Sequence, residues 1–422
     1  MMMKSGRFAF VIPRYFEGIA GGAETLVGSL AKQLQARGDT VELLATCATD
    51  NRTWRNELSA GQDSVEGLLI HRFEVDGRNL DRWVPLQVAI HEGQRVSIES
   101  QLEWMQHSVN SHAMYSYIVK NAQRFDALFF GPYLFGTTFW GSLIAPSKSI
   151  LIPCLHDESY AYQEVVASMF RQVRGCLFNA DPERHLAESL YGPLSGGSVG
   201  MGFEPHSREY VEGLSPFLSE NERYILYVGR KETGKNVHLL IDYFIEGKAL
   251  GIIAPDIKLA VLGGGSFDDL HRPEALQRED IIDLPHVSEV DKQRLIRHSL
   301  FLCQPSTNES FSIVLMEAWL LGTPVVVHGQ CAVTRHHVVE SKGGLYFSSP
   351  QDFAGVTRHL VSDVGMRERF GAAGRAYVCQ QYSWAAVLAR FDSVVEKIYA
   401  EPLLAASASL RGISCDDEAI VS

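Results

Sequence analysis

Two runs of alternating strand and helix, separated by a stretch that is neither, constrain this chain more than any other feature. Arg7 to Pro13 reads as a strand, Ala23 to Arg37 as a helix with Leu26, Leu30, Ala31 and Leu34 on one face, and Thr40 to Cys47 as the next strand. Further strands are expected at Leu68 to Phe73, Ala127 to Phe130, Ser149 to Pro153 and Cys176 to Asn179. A second alternation runs through Tyr224 to Val228, Ile257 to Leu262, Ile281 to Leu284, Leu300 to Cys303 and Pro324 to Val327. Strands joined by helices imply parallel sheets covered on both faces, so residues 1–205 and 222–382 are read as two doubly wound α/β domains. Pro205 to Glu222, with Gly213, Pro216 and several charges, is the expected linker. Residues 74–124 are rich in His, Gln and Trp and look like a helical insertion without a role that pattern alone assigns. Tyr382-Ser383-Trp384 opens a last helix, residues 383–402, beyond which small and acidic residues 403–422 suggest a disordered tail.

At 422 residues the chain is long enough for two separate cores. A formal net charge of −12 argues against nucleic acid as the main partner and gives no general attraction to an anionic membrane. The seven cysteines are scattered, odd in number and without a CxxC pair, as expected of small core residues in a reducing compartment; no structural zinc is expected. Met1 to Arg7 is too short and polar for a signal peptide, which points to the cytoplasm. Ala127 to Pro146 lacks charge and is long enough to span a bilayer, but Gly131, Pro132, Gly136, Gly141 and Thr137-Thr138 break it into a buried strand, a loop and a short helix.

The richest segment chemically is Glu309 to Val327. Asn308, Ser310 and Ser312 supply helix-start signals, Gly322 marks the stop, and Phe311 to Leu321 is apolar nearly all round, so this helix should be buried. Glu317 within it needs a partner, because a bare buried carboxylate is costly. If the helix reaches both Glu309 and Glu317, eight residues separate them by roughly 12 Å, close to the sugar-to-ribose span of a nucleotide-sugar. A helix N-terminus between them would suit a diphosphate. The plainer alternative is a buried helix with a salt-bridged Glu317 and an exposed Glu309.

Three other strand-end segments carry candidate chemistry. Gly21 and Gly22, in Gly18-Ile-Ala-Gly-Gly-Ala-Glu24, sit between the first strand and its helix, where glycines admit an anion close to backbone N–H groups. Arg230 and Lys235, in Gly229-Arg-Lys-Glu-Thr-Gly-Lys-Asn236, place two cations after the first strand of the second half, able to neutralise a pyrophosphate. Gly263-Gly264-Gly265 ends another strand but lacks the spacing of a dinucleotide site. His156-Asp157 follows the apolar run Ile150 to Leu155, where a structural histidine is the ordinary expectation.

Taken in order, the Gly-Gly-x-Glu loop, the first-domain His, the Gly-Arg-x4-Lys-Asn turn and the Glu-x7-Glu segment resemble the retaining glycosyltransferases of family 4, the glycosyl transferases group 1, over nearly the whole chain. That resemblance implies a GT-B fold, two facing Rossmann-like domains with the last helix crossing back to the first. It implies transfer of a hexosyl group from a nucleotide-sugar (GDP-mannose or a UDP-hexose) to a hydroxyl acceptor with retention, in cell-surface polysaccharide or lipopolysaccharide assembly. The acceptor would be a saccharide or lipid-linked saccharide, with peripheral contact to the inner membrane face allowed. No cofactor and no metal are implied, and no Asp-x-Asp motif occurs.

Residue by residue, the resemblance puts His156 beside the reacting sugar and Glu309 on the sugar hydroxyls. Gly21, Gly22, Arg230 and Lys235 go to the diphosphate, Ser310, Phe311 and Ser312 to sugar and phosphate through their backbone, Gly264 to the donor cleft and Glu317 to the ribose. Asp157 would orient His156 or bind the acceptor. Ser312 stands where the family often has Gly, and His286, beside the expected nucleobase position, also replaces a usual Gly. A GT-B sugar-nucleotide epimerase, or a catalytically silent partner of another transferase, shares most of these features.

Overall fold

The structure, a computed structural model, describes residues 5–19, 21–204 and 215–402; Ala20, most of the expected linker and the expected tail 403–422 lie outside it. The first half holds strands β1 (Arg7–Val11), β2 (Thr40–Thr46), β3 (Gly61–Val65), β4 (Leu68–Phe73), β5 (Ala127–Phe130), β6 (Ser149–Leu151), β7 (Gly175–Phe178) and β8 (Gly196–Ser198). Its helices are α1 (Gly22–Ala36), α2 (Leu80–His91), α3 (Ile98–Gln106), α4 (His112–Asn121), α5 (Gly136–Ser142), α6 (Glu164–Gln172) and α7 (Asp181–Tyr191). These strands form one sheet in the order β3-β4-β2-β1-β5-β6-β7-β8, parallel except for β3 against β4.

The second half contains β9 (Arg223–Val228), α8 (Val237–Ala249), β10 (Ile257–Leu262), β11 (Ile281–Leu284), α9 (Glu289–His298) and β12 (Phe301–Gln304). It continues with α10 (Ile313–Leu320), β13 (Val325–His328), α11 (Ala332–Ser341), β14 (Gly344–Phe347), α12 (Pro350–Ser362) and α13 (Val364–Gln381). Its six strands are ordered β11-β10-β9-β12-β13-β14 and all run parallel. Central strands are buried along most of their length, as continuous apolar runs require in a two-faced sheet. Strand order reverses at β1, between β2 and β5, and at β9, between β10 and β12. Those switch points open crevices beyond the carboxyl ends of the strands, where α/β sheets bind ligands.

The last helix, α14 (Trp384–Ala400), crosses back onto the first sheet. Phe391 packs edge-on to Phe8 at 5.9 Å and lies 5.6 Å from Phe129. Arg37, just after α1, pairs with Asp392 at 2.8 Å, and Tyr399 donates to the Asp126 carbonyl at 2.8 Å. Gly175 and Gly197 make that approach possible, since a Cβ on either would strike Ile398 or Val394.

Residues 74–124 are helical, as expected, and α2 to α4 form a cap on one side of the first sheet. Gln87 of α2 takes a hydrogen bond from Trp104 at 2.7 Å and gives one to the Tyr160 hydroxyl at 2.6 Å. The insertion therefore braces the segment that follows His156. Among the described residues no helix is long and apolar enough to cross a membrane, and 127–146 forms β5, a loop and α5.

Strand β3 was not anticipated, and one local expectation changes. The edge strand β3 is almost wholly exposed and polar, so it carries no apolar signal; a two-residue turn at Glu66 and Gly67, with φ of 51° and 84°, folds it onto β4. Helix α10 begins at Ile313, not before Glu309, because Ser312 adopts a left-handed conformation (φ 68°, ψ 80°) that interrupts it. The helical 12 Å estimate between Glu309 and Glu317 therefore does not apply.

Candidate functional site

The predicted segments converge on the carboxyl ends of the two sheets. On the first bank, Gly21 is the N-cap of α1 in an extended conformation; a Cβ there would collide with the Glu24 carboxylate, while at Gly22 it would meet open space. Glu24 is held by Arg14 Nε at 2.8 Å, and Arg14 also donates to the Thr49 carbonyl at 2.6 Å. This ties the glycine loop to the end of β2.

His156 lies in the loop after β6, half-buried, with Nδ1 3.7 Å from Glu158 Oε1. Tyr133 donates to the same oxygen at 2.8 Å. Burial alone would raise the Glu158 carboxyl, but its bonds with His156 and Tyr133 outweigh that and hold it below the ordinary value. Asp157 accepts instead from the Tyr162 hydroxyl at 2.7 Å. The carboxylate nearest the His156 ring is thus Glu158, and the side chain of Asp157 is turned to Tyr162.

A second carboxylate that pattern did not single out is Glu183, on the first turn of α7. It is buried and accepts from the Leu155 N–H at 2.6 Å and the Asn179 N–H at 2.5 Å, joining the ends of β6 and β7 beneath the His156 loop. Burial pushes its carboxyl up to about 8, against the pull of those backbone donors. Of its partners, Asn179 is four residues away and Leu155 is 28, so only its place in an Asp-Pro-Glu helix start hints at it.

On the second bank, Lys235 pairs with Glu309 at 2.8 Å and lies 3.4 Å from the Asn308 carbonyl. Glu309 is only 13% exposed, which removes the plainer expectation of an exposed Glu309. Arg230 pairs with Glu232 at 3.1 Å and is 59% exposed. Lys231, between them in the sequence order, is different: it is buried, and its ammonium group reaches the Gly263 carbonyl at 2.7 Å, the Leu284 carbonyl at 2.9 Å and Asp283 at 2.6 Å. All three of its N–H bonds are thereby used to lock β10 and β11 to the Arg230 loop. Nothing local in the sequence separates it from its two neighbouring cations.

Gly263 and Gly265 have φ of 136° and 92°, and a Cβ at either would strike the Gly229 or Lys231 carbonyl. Gly264 accepts from the Lys231 N–H at 2.7 Å and has open space where a Cβ would be. Glu317, on α10, pairs with Lys292 of α9 at 3.0 Å, as the plainer alternative for this residue had it. Burial raises its carboxyl and Lys292 opposes the rise. His286 is exposed in the loop between β11 and α9.

The segment Glu309 to Ser312 joins the banks. Phe311 is buried against Phe203 (6.2 Å between ring centroids), Tyr382 (5.1 Å) and His337 (5.4 Å), so its side chain belongs to the packing where the two halves meet. Phe203 and Tyr382 are the points where the chain leaves and re-enters the first half, and the Phe203 N–H donates to the Tyr382 carbonyl at 2.8 Å. The Cys154 thiol, two residues before His156, lies within hydrogen-bonding reach of the Ser310 side chain and within the field of Glu24. The glycine loop, the His156 loop and the Glu309 loop therefore border one cleft. Among the described residues no group of three or more His, Cys, Asp or Glu is placed to hold a metal ion.

Residues 215–377 match the family model of the glycosyl transferases group 1. Over these residues the chain is similar to that family. It is 31% identical over 185 residues to phosphatidyl-myo-inositol mannosyltransferase of Mycobacterium tuberculosis, a stretch that covers 41% of this chain and 47% of that protein. The chain spans about half the length of the curated relatives it matches. Sucrose-phosphate synthase from Thermosynechococcus elongatus has the same fold, with a TM-score of 0.67 at 14% identity over 94% of this chain and 99% of that one. HepE of Anabaena, solved in complex with UDP-glucose, gives 0.66 at 16% identity over 94% of this chain and all of that one (100%). The described residues have the GT-B architecture in both halves, while the family match lies in the second half.

Proposed function

We propose that this chain transfers a hexosyl group from a nucleotide-sugar, GDP-mannose or a UDP-hexose, to a hydroxyl acceptor with retention of the anomeric configuration. The observation that carries the reading is the meeting of the glycine loop, the His156 loop and the Glu309 loop at one cleft, with Lys235 paired to Glu309. Residues 1–205 would then be the acceptor domain and 222–382 the donor domain. A mannosyltransferase among the relatives and a UDP-glucose complex among proteins of this fold support that class of donor.

The ion pairs suggest how the donor enters. Glu309 and Glu232 neutralise Lys235 and Arg230. A diphosphate carries more charge than either carboxylate and accepts more hydrogen bonds, so it displaces them as partner of the two cations. Glu309 is then released to accept from the sugar hydroxyls, next to the backbone of Ser310 to Ser312 and the start of α10. Gly21, Gly22 and Gly264 give the pyrophosphate and sugar close access to backbone, and Glu317 receives the ribose.

As the bond between sugar and phosphate breaks, negative charge gathers on the leaving oxygen against Arg230 and Lys235, and positive charge gathers at the sugar carbon. His156, oriented by Glu158, lies on the sugar side and stabilises the oxocarbenium-like state; the leaving phosphate takes the acceptor proton on the same face. Closure of the halves excludes water, whose attack is the competing reaction. The acceptor approaches from the first bank, past Asp157 and the insertion 74–124. Assembly of cell-surface polysaccharide on the cytoplasmic side of the membrane, with peripheral membrane contact, suits such an enzyme.

Thermal-shift titration against UDP, GDP, ADP and their sugars tests the reading, because a ligand of the native state raises Tm. One base should stabilise far more than the others, and transfer should survive EDTA. A co-crystal with the nucleotide distant from residues 230–235 and 309–312 overturns the assignment.

A further inference from the structure

We propose that Lys292 is a positioning residue of the nucleotide site, its ammonium group fixing Glu317 as an acceptor for the ribose hydroxyls. This rests on the functional reading above and adds to it a residue from a different helix, 25 positions earlier in the chain. Lys292 Nζ lies 3.0 Å from Glu317 Oε1 and 2.9 Å from Glu289 Oε2, with most of its side chain covered. One oxygen of Glu317 is thereby engaged, and the other remains for hydroxyl donors.

Two ribose hydroxyls need an ionised carboxylate, because a protonated acid offers its own O–H in competition and accepts less well. The surroundings of Glu317 work against ionisation. Burial raises its carboxyl, and the nearby Glu289 raises it further; Lys292 is the group that opposes both. Burial likewise lowers the Lys292 ammonium, but Glu317 and Glu289 more than compensate and leave it above its ordinary value.

The other elements packed on α10 bring little charge to the pair. Helix α13 meets it through Gly371 and Gly374, against Gly322 and Trp319, and Tyr377 lies edge-on to Trp319 at 5.9 Å. Arg297 of α9 donates to the Leu321 carbonyl at 2.9 Å, at the far end of the helix. The strands β12 and β13 face it with apolar residues. Lys292 thus acts on Glu317 from one side, with Glu289 as the third member of the cluster.

Calorimetry of GDP and UDP binding between pH 5.5 and 8.5 tests this with the wild type, K292M, K292R and E317Q, with K292Q as a second neutral variant should K292M not fold. Loss of the ammonium lets the Glu317 carboxyl rise, so K292M should bind the preferred nucleotide roughly threefold more weakly at pH 8.5 and roughly thirtyfold more weakly at pH 6. K292R should restore both affinity and the wild-type profile, and E317Q should be weak at every pH. The 2′,3′-dideoxy nucleotide should bind wild type and K292M alike. A pH-independent loss, no loss, or an equal loss with the dideoxy nucleotide overturns the role of Lys292. Should neither nucleotide bind the wild type, the functional reading falls with it; weak binding by E317Q beside unchanged binding by K292M removes Lys292 alone.

Discussion

The two banks of the cleft arise from the same kind of loop, a strand end running into a helix, yet they hold their polar groups in opposite ways. On the second bank the carboxylates are held by cations: Glu309 by Lys235, Glu232 by Arg230, and Glu317 by Lys292, which also holds Glu289. On the first bank the groups around His156 are fixed by neutral donors, Tyr133 on Glu158, Tyr162 on Asp157 and backbone N–H groups on Glu183. Exchangeable ion pairs suit a ligand whose charge is always the same, such as a diphosphate. Hydrogen-bonded loops braced by an insertion suit a surface that must fit a particular acceptor. The family match, confined to residues 215–377, follows the same division.

Removing Glu309 breaks the comparison most severely. Glu309→Ala should lower kcat by about a thousandfold if the carboxylate acts on the sugar in the transition state, with the fold retained by circular dichroism. Lys235, freed of its partner, should still bind the nucleoside diphosphate at least as well as before. Near wild-type transfer in this variant would remove Glu309 from the site. Arg230→Ala comes next. Its exposed cation should contribute to the diphosphate and not to the fold, so calorimetry should show binding of the nucleotide weakened roughly tenfold to a hundredfold while Tm stays within a degree or so.

The first bank is sharpened by Glu183→Gln, read as stability against pH. The folded carboxyl is raised to about 8 from an ordinary 4.5, so the native state holds a proton that the unfolded chain releases between those values. Its stabilising contribution is therefore complete below about 4.5 and is lost as pH rises through about 8. Subtracting the Tm profile of Glu183→Gln from that of the wild type should expose this fall. The amide cannot accept at both of its terminal atoms, so the variant should also be destabilised by about 2 kcal/mol, since one backbone N–H is left without its partner. Parallel profiles would mean that Glu183 is ionised in both states.

Much of the second bank was legible because its chemistry lies at strand ends in a fixed order, and the strands themselves are continuous apolar runs. Ile257 to Leu262 and Ile281 to Leu284 match β10 and β11 in full, and α14 (Trp384–Ala400) lies within the expected 383–402. Short edge strands were not legible: β3, β8 and β14 bury too little apolar surface to leave a pattern and are specified by their neighbours in the sheet. The same holds for single groups. Lys231 and Arg230 look alike in sequence, and only the distant Gly263, Leu284 and Asp283 make one structural and leave the other exposed beside Glu232. Lys292, Glu158 and Glu183 likewise act through partners brought close by the fold.

The smallest effect comes from the joint between the banks, at Ser312. Its φ of 68° lies in the left-handed region, which a side chain disfavours by roughly 1 kcal/mol relative to glycine. Its hydroxyl is also buried without a hydrogen-bond partner among the described residues, a further loss of about 1 kcal/mol. Glycine loses more backbone entropy on folding, which takes back part of that gain. Ser312→Gly should therefore stabilise the protein by about 1 kcal/mol and raise Tm by roughly 2–4 °C, with nucleotide affinity unchanged, since the segment offers the ligand its backbone. A fall in affinity would show instead that the Ser312 hydroxyl itself turns to the donor. In that case the left-handed serine would be a ligand contact on the second bank, and the division between exchangeable ion pairs there and neutral donors on the first would no longer hold at the point where they meet.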